Sequence, residues 1–255
     1  MLCCGRNNHD IFNALVKLAL AKRMHGILIL GSTGPTGEML TQRLCAAGQH
    51  VVVIHRSDSR RTDFESWGAR VVSGDAFDRS GYMAAIQDVA AECSVLLNLL
   101  GGNPFQPPET WPDCTGNVNA IDGAVAAGLS RFVFVTSVGT GASWRYVPED
   151  AYIRPIIELK SKAEDHLKST QLDWTIIKPG GLGPPDYRIA TGDPLITENH
   201  GVRGLIDRTD LADVILRVLA DDSGATVHKE LYAVVDRIEH HDGEPAVFAL
   251  AELPA

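Results

Sequence analysis

Three glycines, Gly31, Gly34 and Gly37, stand three residues apart directly after an apolar run, Ile27 to Leu30. The apolar run predicts a buried β-strand of the kind found in sheets that are covered on both faces. Gly31 then allows a tight turn, Gly34 lets a phosphate group approach the backbone, and Gly37 lets the next helix pack closely. Because a helix N-terminus offers N–H groups and a partial positive charge, this turn is expected to bind a diphosphate. The predicted phosphate loop consists of Gly31, Ser32, Thr33, Gly34, Pro35, Thr36 and Gly37.

The residues after the loop favour a nucleotide site over a simple strand-to-helix turn. Met39, Leu40 and Leu44 have helical spacing, and the apolar run Val51 to Ile54 predicts a second strand. Strand, helix and strand together form a βαβ unit of the length that binds dinucleotides.

The end of the second strand bears on the identity of the cofactor. It carries His55, Arg56 and Ser57, with no acidic residue among them. A carboxylate in this position would bond a ribose 2′-OH, whereas an arginine pairs with a 2′-phosphate. Arg56 therefore predicts NADP(H) in preference to NAD(H). Arg60 and Arg61 either add to the same positive field or are solvated surface residues.

Strand and helix patterns continue to alternate along the chain, which predicts an α/β fold with a doubly wound parallel sheet, the Rossmann fold. Further strands are predicted at Arg70 to Ser73, Val95 to Leu100 and Phe132 to Thr136. Ligands of such sheets collect at the carboxyl ends of the strands. The residues at these ends, expected to meet in one crevice, are Gly31, Arg56, Asp75, Gly101 and Ser137.

Composition fits a soluble α/β domain that handles small molecules. The chain has 255 residues, 45% of them hydrophobic, and a net charge of −9 with no block of like charge. This charge argues against a general nucleic-acid surface and favours a small-molecule substrate. The five cysteines are odd in number and have no metal-binding spacing, which predicts a reducing, cytoplasmic location and no structural metal.

Three regions are expected. Residues 1–23 form an amphipathic extension that is too short and too charged to span a membrane; a packed helix is favoured, and an organelle leader remains the alternative. Residues 24–182 form the NAD(P)-binding domain, and residues 183–255 form a small substrate-side region integrated with it. Within that region Thr209 is predicted to cap a helix, and the histidines at 228, 240 and 241 are interpreted as surface residues. Sequence leaves a monomer and a homodimer equally open.

Several segments together resemble the atypical short-chain dehydrogenase/reductases, in the NAD(P)H-binding, NmrA-like and biliverdin-reductase-B-like group. The match runs from about Met24 to Leu219 through ILILGSTGPTG, VIHRS, VVSGD, NAIDGAVAAGLSRFVFVTSVG, KSKAEDHLKSTQLDWTIIKPGGL and IDRTDLADVILRVL. The resemblance is specific for fold and cofactor and much less so for activity, because the group contains reductases, isomerase-like members and non-catalytic redox sensors.

The resemblance implies roles for residues at matching positions. Lys160 matches the active-site lysine of the family, and Ser137 matches the serine after the fifth strand. Asp75, with Ala76 beside it, matches the adenine contact. The backbone along the cofactor is matched by Leu100, Gly101 and Gly102, and the loop beside the nicotinamide by Pro179, Gly180, Gly181 and Leu182.

The usual tyrosine of the reductase pattern is missing. A Tyr-x-x-x-Lys pair places both side chains on one helix face, where the ammonium lowers the tyrosine pKa. Four residues before Lys160 stands Ile156, which moves no proton. Tyr152 is the nearest tyrosine and a weak candidate for the catalytic acid, with Tyr146 and Trp144 behind it. Lys162 is expected to face solvent.

These features predict an NADPH-dependent reductase of an acceptor that needs no protein acid, such as a conjugated carbonyl, a quinone, a flavin-like compound or an enone. In this hypothesis Ser137 bonds the developing oxyanion and Lys160 anchors the nicotinamide ribose. Two alternatives stay open: a protein that binds NADP(H) and reports redox state without turnover, and an isomerising enzyme on the same fold.

Overall fold

The computed structural model describes residues 26–183, 188–244, 246–248 and 250. The predicted extension at residues 1–23 lies outside this part of the chain. Within it, eight strands form one sheet in the order β3-β2-β1-β4-β5-β6-β9-β7, and all neighbours are parallel except β7 and β9. The prediction of a doubly wound parallel sheet is confirmed.

The bounds of the elements follow the predicted order. The strands are β1 (Ile27–Leu30), β2 (Val51–His55), β3 (Arg70–Ser73), β4 (Val95–Asn98), β5 (Arg131–Val135), β6 (Asp173–Pro179), β7 (Leu195–Thr197), β8 (Val202–Leu205), β9 (Lys229–Val234) and β10 (Asp236–His240). The α-helices are α1 (Pro35–Ala46), α2 (Arg61–Ser66), α3 (Arg79–Val89), α4 (Thr115–Ala126), α5 (Arg154–Lys168) and α6 (Arg208–Leu219).

Helices cover both faces of the sheet, and the central strand shows why. Ile27 and Ile29 of β1 pack with Leu40 of α1 and Leu211 of α6. Leu28 and Leu30 point the other way and pack with residues of α3, α4 and α5. Successive side chains of a strand point to opposite faces, so a strand that is buried on both faces must be apolar throughout.

Some strand ends differ from the sequence prediction by one or two residues: β5 is Arg131–Val135 rather than Phe132 to Thr136, and β2 extends to His55. Two differences have a local cause. β4 ends at Asn98 because the N–H of Leu100 bonds the side-chain oxygen of Asn98 (3.0 Å), which turns the chain out of the sheet. α6 is capped by Asp207 rather than Thr209, since the Asp207 carboxylate accepts from the N–H of Thr209 (2.7 Å). Both differences reflect side-chain bonds to backbone, which compete with regular structure and carry no periodic signal.

The residues after 183 contribute to two sheets. β7 and β9 extend the main sheet, and β8 pairs with β10 in a separate two-stranded antiparallel sheet. This small sheet lies next to the carboxyl end of β6, because Gly181 forms a bridge with Leu205. It thereby supports the loop that follows β6.

Candidate cofactor and active site

The fold requires glycine at two of the three glycine positions in the loop and not at the third. Gly31 has φ +75°, and a Cβ there would lie 2.7 Å from the Leu99 carbonyl. A Cβ at Gly37 would lie 2.5 Å from the Gly31 oxygen, so the close packing of α1 on the loop needs glycine. At Gly34 a Cβ would meet nothing nearer than 3.5 Å. Packing therefore does not require glycine at position 34, and the missing side chain leaves open space in the groove that Gly34 lines.

Ser32 and His55 tie the loop to the end of β2. Their side chains are buried and hydrogen-bonded, with Ser32 Oγ and His55 Nε2 2.9 Å apart. Burial, followed by the charges of Arg61 and Arg60, lowers the pKa of His55, so its ring is neutral at pH 7. Ser32 and His55 therefore hold the glycine loop against the end of β2, and His55 contributes no positive charge there.

The positive charge at this strand end comes from Arg56, because its two neighbouring arginines are already paired. Arg60 bonds Glu38 at the start of α1 (3.1 Å) and Asp63 (2.7 Å). Arg61 pairs with Asp58 (2.8 Å) and donates to the Val71 carbonyl (2.7 Å). Arg56 is exposed on the crevice, and no group in the described residues is bonded to it. Of the three arginines, Arg56 is the one available to a ligand.

A groove of about 330 Å³ runs along the carboxyl ends of β1, β2, β3 and β4. It brings together the predicted residues Gly31, Thr33, Gly34, His55, Arg56, Asp75, Ala76, Leu100 and Gly101. It is also lined by residues that the sequence did not single out, namely Ile54, Gly74, Phe77, Tyr82, Leu99, Thr110 and Pro112. Asp75 shapes a turn, since its carboxylate accepts from the N–H of Phe77 (3.0 Å). Ser57 accepts from Ser59 N–H (3.3 Å) at the rim.

Lys160 reaches the same edge of the sheet from α5. Its ammonium donates to the Leu100 carbonyl (3.1 Å) and forms an ion pair with Asp113 (3.0 Å). A Cβ built on Gly101 would lie 3.2 Å from Lys160 Nζ. The ammonium therefore lies beside the Gly101 backbone, at the end of the groove.

Asp113 is the functional candidate that the sequence analysis missed. Its side chain is fully buried, and its second oxygen accepts from the N–H of Gly102 (2.6 Å). A single aspartate between Pro112 and Cys114 has no spacing that indicates a site. Only the folded structure indicates its role, because folding brings Asp113 to a lysine that stands 47 residues later in the chain (160 − 113).

No acid stands at the expected tyrosine position. Ile156 is 4% exposed and packed in the interior. Tyr152 is 70% exposed and stacks on Phe105, with ring centroids 5.8 Å apart. Tyr146 donates to Asp242 and Trp144 lies under the Arg154 guanidinium, so both have other partners. The described residues near Lys160 thus offer no tyrosine that is held in place for proton transfer.

Ser137 and the loop after β6 flank this end of the crevice. Ser137 follows β5 and is half-buried, and its carbonyl accepts from Thr140 Oγ1 (2.8 Å). Pro179 ends β6, and Leu182 packs against the core. Gly180 donates to the Ala233 carbonyl, and its missing Cβ would lie 2.5 Å from the Gly204 oxygen. Glycines 180 and 181 are therefore explained by close packing of the small sheet.

A sequence model described as NAD(P)H-binding matches residues 31–222. The chain belongs to this NAD(P)H-binding family. Photosystem II assembly factor Ycf39 of Guillardia theta is 22% identical over 160 residues, 61% of this chain and 46% of that protein. The chain thus spans about half of that relative's length. An uncharacterized chloroplastic protein of Arabidopsis thaliana, At2g34460, is 24% identical over 81% of this chain and 76% of its own length.

Solved structures that are similar to this chain have the same architecture. ChuY, an anaerobillin reductase from Escherichia coli O157:H7, matches with a TM-score of 0.70 and 28% identity over 87% of this chain and 100% of its own. These findings confirm the resemblance to the atypical short-chain dehydrogenase/reductases.

Two further observations describe the site's surroundings. In the described ranges, no group of three or more His, Cys, Asp or Glu side chains is arranged to hold a metal ion. Nor does any helix there combine the length and apolar content needed to cross a bilayer. His228, His240 and His241 are all exposed, as predicted, and the His228 ring lies beside that of Trp174.

The glycine loop yields a paired prediction. Gly34→Ala is expected to keep its melting temperature and to bind NADPH about tenfold more weakly, because the new methyl group occupies ligand space and not packing space. Gly37→Ala is expected to lose about 1–3 kcal/mol of stability through overpacking. Thermal melts and a fluorescence titration with NADPH measure both effects. An NADPH affinity of Gly34→Ala equal to wild type would place the diphosphate elsewhere.

Proposed function

We propose that this protein is an NADPH-dependent oxidoreductase that transfers a hydride to a small conjugated carbonyl, quinone, flavin-like or enone acceptor. The observation that carries the proposal is the Lys160 ammonium, held beside Gly101 at the end of the cofactor groove by a buried carboxylate. The Lys160 side chain is only 10% exposed, and a buried ammonium is costly unless it is paired; a pair kept at that cost beside a groove is a candidate for ligand binding.

The residues present fit a dinucleotide phosphate. The loop 31–37 would hold the diphosphate, Arg56 the 2′-phosphate, and Asp75 with Ala76 the adenine. The backbone of Leu100, Gly101 and Gly102 would run along the cofactor, with Pro179 to Leu182 beside the nicotinamide. When bound, NADPH supplies a hydride; the protein supplies orientation and electrostatics.

Two side chains have proposed roles in the reaction itself. Ser137 donates a hydrogen bond to the oxygen of the acceptor as negative charge develops there, and Lys160 holds the ribose near it. Because Ile156 provides no proton, the acceptor must delocalise its charge and take the proton from water. This requirement favours conjugated acceptors over simple ketones.

Tyr152 is proposed to contribute its ring and not its hydroxyl. The ring stacks on exposed Phe105 and joins the loop after β4 to the start of α5. Stacked aromatic rings stabilise each other by about 0.5–1.5 kcal/mol, which orders two loops near the crevice. The similarity to ChuY supports a reductase, because that protein is described as one.

The buried Ile156 also favours a second candidate function, an NADP(H)-binding regulatory protein without turnover. Such a protein would need the groove and Arg56 but no acceptor site. An isomerising enzyme with a bound cofactor would likewise keep the groove. Turnover measurements separate these functions from the reductase.

Cofactor choice can be tested at Arg56. Arg56→Ala is expected to raise the Kd for NADPH about 10- to 100-fold and to leave the Kd for NADH unchanged, because a charge-assisted bond to the 2′-phosphate is lost. Arg60→Ala is the matched control, since Arg60 is already paired with Glu38 and Asp63. Equal losses for NADPH and NADH, or a larger effect at Arg60, would contradict the assignment of the 2′-phosphate to Arg56.

Activity can be tested with an acceptor panel. NADPH absorbance is followed with quinones, flavins, enones and simple ketones, and catalytic oxidation is expected with a conjugated acceptor. Ser137→Ala is expected to lower kcat about a hundredfold, as loss of an oxyanion donor does. Lys160→Ala is expected to weaken NADPH binding about 10- to 100-fold.

The same panel distinguishes the remaining roles. Tyr152→Phe keeps the ring and is expected to keep kcat; a large loss in that variant would make the hydroxyl the proton donor. Tight NADPH binding with no oxidation by any acceptor would sink the reductase proposal and leave the regulatory one. Unchanged kcat in Ser137→Ala would remove the oxyanion role.

A further inference from the structure

We propose that Asp113 is a positioning residue that holds the Lys160 ammonium in place and directs it at the cofactor. The inference rests on the proposed use of this groove by NADPH and adds a residue that acts through Lys160. It does not require that the protein turn over an acceptor.

Burial makes Asp113 and Lys160 depend on each other. The Asp113 side chain is 0% exposed and that of Lys160 is 10% exposed, with 3.0 Å between their charged atoms. Removing one member of a buried pair leaves an uncompensated charge, which is strongly unfavourable. Burying the Lys160–Asp113 pair also costs desolvation energy, so the ammonium stands beside the groove at the expense of stability.

A chain of polar contacts fixes the aspartate. Its carboxylate accepts from Gly102 N–H (2.6 Å), and its backbone carbonyl accepts from the Asn117 amide (2.9 Å). Asn117 in turn accepts from the Asn98 amide (2.9 Å), and Asn98 accepts from Leu100 N–H (3.0 Å). Asp113 therefore sets the position of the lysine and of the Leu100 to Gly102 backbone together.

The ammonium keeps N–H donors for a ligand. Lysine has three N–H donors, of which one bonds the Leu100 carbonyl, whereas the contact with Asp113 Oδ1 is an ion pair (3.0 Å) without hydrogen-bond geometry. The missing side chain at Gly101 leaves the nitrogen uncovered on that side, where a Cβ would lie 3.2 Å from it. We expect an N–H on this side to bond a ribose hydroxyl.

Other groups around Lys160 do not replace the aspartate. The Phe134 ring lies 6.0 Å from the ammonium, and Glu164, one turn further along α5, pairs with Lys178 (2.9 Å). Lys162 pairs with Glu158 on the exposed side of α5, and Cys114 contributes to the field at Lys162. Among the described residues, Asp113 is the carboxylate that offsets the charge of Lys160.

The test is the Kd for NADPH, measured by fluorescence at about pH 7 for wild type, Asp113→Asn and Glu164→Gln. Asp113→Asn is expected to weaken binding about tenfold, because Lys160 loses the carboxylate that holds it. Glu164→Gln is the control, because it removes an equally buried carboxylate, on α5, that pairs with a different lysine. Its Kd is expected to match wild type.

A double-mutant cycle covers the case in which Asp113→Asn folds poorly. Lys160→Met/Asp113→Asn removes both charges, and in the Lys160→Met background Asp113→Asn is expected to change the Kd less than about twofold. Equal weakening by Asp113→Asn with and without Lys160, or a wild-type Kd in the single variant, would overturn the positioning role. If wild type binds NADPH but oxidises none with any acceptor, the proposed reductase fails while this binding test still decides the role of Asp113.

Discussion

The Lys160 end of the site depends on one buried ion pair, which joins Lys160 of α5 to Asp113. One turn later Glu164 pairs with Lys178, and both of these side chains are 0% exposed. Although burial opposes the ammonium form, Glu164 and Glu230 raise the pKa of Lys178 and keep it charged. Because Lys178 has Glu230 as a second carboxylate partner (2.6 Å), the position of Lys160 depends on its own pair with Asp113.

The parallel sheet forms the crevice at the same edge that Lys160 of α5 reaches. β1, β2, β3 and β4 end at one edge, where they deliver the glycine loop, Arg56, Asp75 and the Leu100 backbone. The fold requires glycine at positions 31 and 37, where a Cβ would clash with the backbone. At position 34 it has room for a Cβ. The loop therefore combines two glycines that the fold requires with a third, Gly34, where the fold itself has room for a side chain.

Much of this arrangement could be predicted from the sequence, because buried parallel strands are continuous apolar runs bounded by turn residues. The pattern predicted β1 through β5 and the strand ends that line the groove. It could not show that Arg60 and Arg61 are paired while Arg56 is not, since Glu38 and Asp63 meet Arg60 only in the folded chain. Asp113 was missed for the same reason. The two-stranded sheet of β8 and β10 was missed because its short strands are only partly buried and lack a strong alternating pattern.

In the proposed complex, Arg56 and the Asp113–Lys160 pair hold the two ends of one NADP(H) molecule. A crystal structure of the protein with NADP⁺ is the decisive measurement. We expect the 2′-phosphate to be bonded to Arg56, and a ribose hydroxyl to be bonded to Lys160 Nζ while Asp113 keeps its ion pair. A 2′-phosphate held by Arg60 or Arg61, or a Lys160 that makes no contact with the cofactor, would contradict it.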